Sequence, residues 1–348
     1  VGAISSKSKV GILIPTYNRK EYLNLALKSA LGQLCNNIEI IVIDNGSVDG
    51  TVEYMATIAD HRVNYVVNSE NIGLIGSINK GVALFSESVD WCTILPDDDL
   101  LDCKFVGSML EFVGKNLVKS VVHCNRLLID GGGNITRGTM LSPTVESPID
   151  YIYNRSVFKR ETFLTGVFFS RKAFFEIGGY PQFATGMATD DAFIFALALN
   201  DKLFCCGDAV AYVRMHGGAE SHKAHDGIKH IRALQDYKKY INEVAEQSGR
   251  FDSRALKLIS NITERFVKIH DSGFWLGNVL SLLEAGRDCN DGELKGLYSL
   301  AGDNRYRFDM RVSFDLLCIK HFGYCPERNR LYRLLQNGWA KIRNRLKR

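Results

Sequence analysis

Between residues 38 and 43 the chain reads Ile-Glu-Ile-Ile-Val-Ile, nearly all β-branched, and then breaks at Asp44-Asn45-Gly46-Ser47. A short run of this kind is expected of a strand covered on both faces. Its neighbours follow the same rhythm. Residues 10–14 form an apolar run stopped by Pro15, and residues 21–34 place Leu23, Leu27, Ala30, Leu31 and Leu34 at helical spacing. Residues 52–58 suit a helix, 63–67 a third strand, 75–85 a third helix and 91–95 a fourth strand. Alternation at this spacing implies βαβ units in a mainly parallel sheet. In such sheets ligands sit beyond the carboxyl ends of the strands.

After residue 100 the rhythm loosens. A helix is expected over 105–113 and a strand over 119–123, and Gly131-Gly132-Gly133-Asn134 reads as a hairpin turn. Residues 138–162 show little periodicity and read as a long surface loop, a class of segment that is usually functional or mobile. Strands follow at 165–170 and 203–215, and helices at 172–177 and 190–200. From 226 onward the pattern is helical, with stripes at Ile228, Ile231, Leu234, Tyr237 and Ile241, then at Leu256, Ile259, Ile262, Phe266 and Ile269. Two regions are therefore expected, 1–225 and a helical 226–348.

The formal net charge of +4 hides a split. Residues 1–225 carry 20 basic and 24 acidic side chains, whereas residues 226–348 carry 23 and 15. The last ten residues hold five cations beside Trp339, Ile342 and Leu346. That suits an interfacial helix on an anionic membrane surface, and equally a solvated helix with cations at its C-terminal end. No recognised motif for nucleic acid accompanies the charge. No apolar run reaches the ~18 residues of a membrane span, and the first ten residues lack a signal-peptide core. The nine cysteines are scattered, without a C-x-x-C pair, which argues against a disulfide framework or a zinc ribbon. A cytoplasmic protein with reduced thiols is expected, peripheral on the membrane if the tail binds it.

Four polar clusters fall at strand ends: Pro15-Thr16-Tyr17-Asn18-Arg19, Asp44 to Asp49, Asn71-x-Gly73, and Asp97-Asp98-Asp99. Taken singly, the first three read as well as turns and helix caps. The triple aspartate is harder to dismiss, because adjacent carboxylates repel one another. Hard divalent cations such as Mg²⁺ and Mn²⁺ favour such oxygens, commonly with substrate phosphates completing the shell. No G-x-G-x-x-G follows the first strand and no P-loop occurs, so neither a dinucleotide oxidoreductase nor a P-loop ATPase is expected.

Taken in order, Val10-Gly-Ile-Leu-Ile-Pro-Thr-Tyr-Asn-Arg19, Ile40-Ile-Val-Ile-Asp44-Asn-Gly-Ser-Val-Asp49-Gly-Thr51, Asn71-Ile-Gly73, Ile94-Leu-Pro-Asp-Asp-Asp-Leu-Leu101 and Ile177-Gly-Gly-Tyr180 resemble a family 2 glycosyltransferase of the GT-A fold, of the bacterial surface-polysaccharide type. The resemblance covers roughly residues 8–217. It implies a Rossmann-like sheet with helices on both faces. It also implies transfer of a hexosyl or hexosaminyl group with inversion, from a nucleotide-sugar (UDP by family habit) to a saccharide hydroxyl, the acceptor lipid-linked in surface-polysaccharide assembly. Pro15, Thr16, Tyr17, Arg19 and Asp44 would then hold base and ribose, with Asn71 and Gly73 also on the nucleotide-sugar. Where the family reads D-x-D-D, this chain reads Pro96-Asp97-Asp98-Asp99, with Asp97 assigned toward the ribose and Asp98 or Asp99 to Mn²⁺ or Mg²⁺. The family's E-D pair is Asp190-Asp191 here, with Asp191 as base and Asp190 its neighbour. Arg214-Met215-His216 resembles an R-x-H segment, making His216 a candidate for the metal or a phosphate. His222 and His225 match no usual zinc spacing. The competing reading is a catalytically silent protein that keeps the fold and binds a nucleotide or a partner.

Overall fold

The computed structural model describes residues 8–216 and 227–284. Strand β1 (Lys9–Thr16) leads through α1 (Lys20–Leu31), β2 (Ile38–Asp44), α2 (Thr51–Ala56), β3 (Val63–Val67) and α3 (Gly73–Leu84) to β4 (Val89–Ile94). Next come β5 (Leu100–Leu101), α4 (Phe105–Asn116), β6 (Val121–Ile129), β7 (Ile135–Gly138), β8 (Val145–Glu146) and α5 (Pro148–Ser156). The succession then runs β9 (Val167–Ser170), α6 (Arg171–Glu176), α7 (Thr189–Ala198), β10 (Leu203–Arg214), α8 (Gly227–Gln247) and α9 (Ser253–Glu284).

The sheet order is β3-β2-β1-β4-β9-β6-β10-β5, with β7 beside β6 and β8 beside β10. Strands β3, β2, β1 and β4 are parallel, as are β6 and β10, and β9 joins the two sets antiparallel to β4 and β6. Strand side chains alternate between faces, and both faces are apolar here. Val10, Ile12 and Ile14 share a core with Leu23, Leu27, Phe105 and Met109 from α1 and α4. On the other face α3 lies close against the sheet, and a Cβ at Gly81 would overlap the Leu13 side chain. Only glycine allows that approach.

Residues 138–162 are more ordered than expected, since they contain β8 and α5. The signal was present in Ser147-Pro148-Ile149-Asp150. Ser147 Oγ accepts from the Asp150 N–H at 3.1 Å, and Pro148 occupies the first turn, where its missing N–H costs nothing.

The chain divides into two compact units, Val1–Val267 and Lys268–Arg348. The first extends beyond the boundary expected near residue 225, because α8 packs on α7. Ile231, Leu234, Tyr237 and Ile241 of the first stripe, and Ile259, Ile262 and Phe266 of the second, are buried. His222, His225 and the basic residues 339–348, with the expected membrane contact, lie outside the described residues. Among those described, no helix is long and apolar enough to cross a membrane, and the six cysteines are free thiols.

Candidate active site

Parallel register brings the polar clusters together. Thr16 pairs with Asp44, Asp44 with Val67, and Leu13 with Ile94, so the strands end at nearly one level. Loops then stitch the clusters. Asn18 Oδ1 accepts from the Val48 N–H and Ser47 Oγ from the Asn18 N–H, both at 2.8 Å. Asn45 Oδ1 accepts from Asn68 Nδ2 and Ser77 Oγ, each at 2.8 Å. Asn71 Oδ1 accepts from the Gly73 N–H at 2.9 Å, making an exposed turn at the start of α3. Tyr17 is 45% exposed beside this rim, whereas Pro15 and Thr16 are buried.

Asp44 departs from its expected role. It is 0% exposed. Oδ1 accepts from Ser47 N–H and Oγ, and Oδ2 from the Tyr65 hydroxyl at 2.6 Å. Its carboxylate builds the loop and offers no open oxygen to a nucleotide.

The triple aspartate is separated by its partners. Asp97 Oδ2 accepts from Thr16 Oγ1 at 2.8 Å, and its Oδ1 lies 3.2 Å from Arg19 Nη1. Burial lifts its pKa to about 6, opposed by Arg19 and reinforced by Asp98. Asp99 turns inward: its oxygens accept from the Thr165 hydroxyl and from the Arg214 N–H, the latter at 2.7 Å. Burial, then the Asp98 charge, push it up to about 7. The expected role of Asp99 as a metal ligand is therefore corrected, since both oxygens are used inside the protein.

Asp98 remains. Its Oδ2 lies 2.8 Å from Arg19 Nη1 and 3.1 Å from His216 Nε2. The two side chains are 13% and 11% exposed, open enough for a ligand to reach. Together they offer one carboxylate oxygen and one imidazole nitrogen. Among the described residues no group of three or more His, Cys, Asp or Glu is arranged to hold a metal ion. Two protein donors still fit a hard dication that takes its remaining ligands from phosphate and water. The donor pair fits Mn²⁺ or Mg²⁺ on that basis.

The second carboxylate pair opens α7. Asp191 is enclosed: Arg155 Nε and Nη2 donate to its two oxygens at 2.6 and 2.9 Å, and the Tyr151 hydroxyl donates at 2.8 Å. Burial alone would raise its pKa, but the Arg155 charge and these hydrogen bonds prevail and hold it below the usual carboxylate range. Asp190 is partly exposed and accepts from the Tyr180 hydroxyl. Burial raises it to about 6, with the Asp191 charge adding and the Tyr180 bond opposing. Tyr180 is fixed in turn by Asn79 of α3, whose Oδ1 accepts from the Tyr180 N–H at 2.7 Å. A Cβ at Gly179 (φ +90°) would collide with that Asn79 oxygen, so glycine is needed at 179.

Sequence reasoning missed the supports. Tyr22 packs its ring 4.8 Å from His216, and the Arg214 guanidinium lies 5.4 Å over the same ring. Arg155 and Tyr151 come from α5, read as loop. Arg155 also lies 5.9 Å over the Phe266 ring, so α9 backs the pair from behind. Arg126 is buried, donating to Thr165 O at 2.6 Å, and it lies near enough to lower Asp190 electrostatically. Thr165 thus links the acidic turn to the α7 pair.

The doubly covered α/β sheet thus carries an acidic turn at the end of β4 and a carboxylate pair at the start of α7. Residues 11–178 match the model described as Glycosyl transferase family 2. An uncharacterized glycosyltransferase of Nostoc sp. is 24% identical over 279 residues, covering 77% of this chain and 84% of that protein. The GalNAc(5)-diNAcBac-PP-undecaprenol beta-1,3-glucosyltransferase of Campylobacter jejuni is 29% identical over 131 residues, 37% of this chain and 41% of its own. For an uncharacterized glycosyltransferase of Haemophilus influenzae, the match spans only 33% of that protein, at 29% identity over 31% of this chain. The crystal structure of S. aureus TarS 1-349 in complex with UDP-GlcNAc superposes with a TM-score of 0.62, covering 77% of this chain and 75% of that one at 15% identity. Over residues 11–178 the chain is therefore similar to glycosyl transferase family 2, and the fold is of the GT-A type.

Proposed function

We propose that this chain is an inverting, metal-dependent glycosyltransferase that moves a hexosyl or hexosaminyl group from a nucleotide-sugar to a saccharide hydroxyl. The observation that carries the reading is the division of labour between two carboxylates. Asp98, paired with His216, is presented for a cation, and Asp190, raised to about 6, is presented for a proton. A base works best when its pKa lies near the working pH.

In this proposal the two members of the α7 pair exchange roles. The resemblance makes Asp191 the base, but a carboxylate held by a bidentate guanidinium is weakly basic. Asp190 takes the acceptor proton in this account, and Asp191 anchors α7 to Arg155. When bound, Mn²⁺ or Mg²⁺ offsets the negative charge that builds on the departing diphosphate. The chain's own residues do the rest: Asp98 and His216 hold the ion, Tyr17 and the turn at Asn71 and Gly73 flank the nucleotide, and Tyr180 orients Asp190.

UDP is the favoured nucleotide, supported by the UDP-GlcNAc complex of TarS. A lipid-linked acceptor is supported by the substrate in the Campylobacter jejuni relative's name. Such an acceptor suits a polysaccharide pathway on the cytoplasmic side of a membrane, with the protein peripheral to it. The test is release of nucleoside diphosphate from UDP-, dTDP- and GDP-sugars with Mn²⁺ and saccharide acceptors. Turnover stopped by chelator supports the reading, and full turnover in chelator contradicts the metal.

A further inference from the structure

Arg19 is seated on the carboxylates that face the expected cation. Its Nη1 donates to Asp98 Oδ2 at 2.8 Å and lies 3.2 Å from Asp97 Oδ1. The same Asp98 oxygen lies 3.1 Å from His216 Nε2. One oxygen therefore serves guanidinium and imidazole together. A dication using that oxygen would meet a second, permanent positive charge a hydrogen-bond length away, because guanidinium does not deprotonate in proteins. Arg19 precedes α1 in the loop after β1, and its side chain is 22% exposed, so it has room to leave. Planar guanidinium also matches the oxyanions of a diphosphate.

We propose that Arg19 is the resident counter-cation of the acidic turn. A divalent ion displaces it, and the donor diphosphate receives the displaced guanidinium. Metal and nucleotide then bind cooperatively, each weak alone, and the coupling is reciprocal by linkage. The inference rests on the metal-dependent reading above and adds an order to it: the turn is neutralised by its own arginine until the diphosphate arrives. Three adjacent carboxylates in a partly buried turn need such a cation when no metal is present.

The experiment is a Mn²⁺ titration followed by electron paramagnetic resonance, on the full chain with and without saturating nucleoside diphosphate. UDP, dTDP and GDP are tried in parallel and the tightest is used. For wild type, the nucleotide should tighten Mn²⁺ binding at least about ten-fold, within the usual range of coupling. Arg19→Met and Arg19→Gln should bind Mn²⁺ alone about ten-fold more tightly than wild type, and gain correspondingly less from the nucleotide. Arg19→Lys, which keeps the charge but not the planar fork, should bind Mn²⁺ alone as wild type does and gain less from the nucleotide. Equal Mn²⁺ affinity in wild type and in the folded neutral variants overturns the proposal while leaving the metal site intact. Wild type gives a reading free of variants, since equal Mn²⁺ affinity with and without nucleotide also overturns it. No Mn²⁺ binding by any form, even with nucleotide, overturns the metal reading and the displacement with it.

Discussion

Asp190 and Asp191 are adjacent in sequence and opposite in circumstance. Asp191 is held by Arg155 and Tyr151 below the usual range, whereas Asp190 rests on Tyr180 and rises to about 6. A base must be deprotonated to act, so kcat/KM should climb with pH through about 6 and level off above it. A profile flat from pH 5 to 8 would remove Asp190 from that role. The resemblance orders the pair with Asp191 as base, and it does not see Arg155, the partner that sets the two apart, which lies 36 positions away on another helix. Before the pair, Ala188 adopts φ 59°, a left-handed conformation that costs a side-chain-bearing residue. Ala188→Gly should raise stability by up to ~1 kcal/mol in urea unfolding, the relief of strain exceeding glycine's entropy. A loss would show that neighbouring contacts, not strain, dominate there.

The elements were legible where pattern and burial agree. The β-branched run at 38–43 became β2, and the stripe at 21–34 became α1 as far as Leu31, with Leu34 beyond the Gly32 cap and exposed, because a sheet covered on both faces leaves few alternatives for them. α5 was not legible by periodicity, since it is only nine residues long. Its start was written in the Ser147 cap and Pro148 instead. Ser147→Ala should cost ~1 kcal/mol by chemical denaturation, as N-cap losses do. Arg155→Met should cost more, about 3–5 kcal/mol, because it strands a buried Asp191 carboxylate without its counter-charge. Similar costs for the two variants would mean that the ion pair contributes little. The stripe of α8 was legible as a helix, but its destination was not. Asp236 Oδ2 accepts from the Ala184 N–H at 3.0 Å, and Tyr240 meets the Phe183 ring, so α8 braces the loop that leads into the carboxylate pair.

At the scale of the molecule, parallel register converts four separate turns into one rim. That was predictable from the alternation of strand and helix, since all four turns follow strands of the same direction. What each carboxylate does on the rim was not predictable. Asp44 and Asp99 look open in sequence and are closed in the fold, their oxygens spent on Tyr65, Ser47, Thr165 and Arg214. Ligand binding at the rim should stabilise the whole unit by mass action, about 2.7 kcal/mol at one hundred times Kd. UDP with Mn²⁺ should therefore raise Tm, and UDP with chelator should raise it less. An unchanged Tm with every nucleotide tried would contradict a nucleotide site. The charge split survives in sequence but does not divide the fold at 225, because the first unit continues through α8 to Val267.

Asp190→Asn tests the central claim most directly. In the presence of Mn²⁺, a nucleotide-sugar and a saccharide acceptor, the variant should lose about 10²–10⁴-fold in nucleoside diphosphate release relative to wild type, the usual contribution of a general base. Its affinity for the nucleoside diphosphate should be unchanged. Turnover at the wild-type rate would contradict the account.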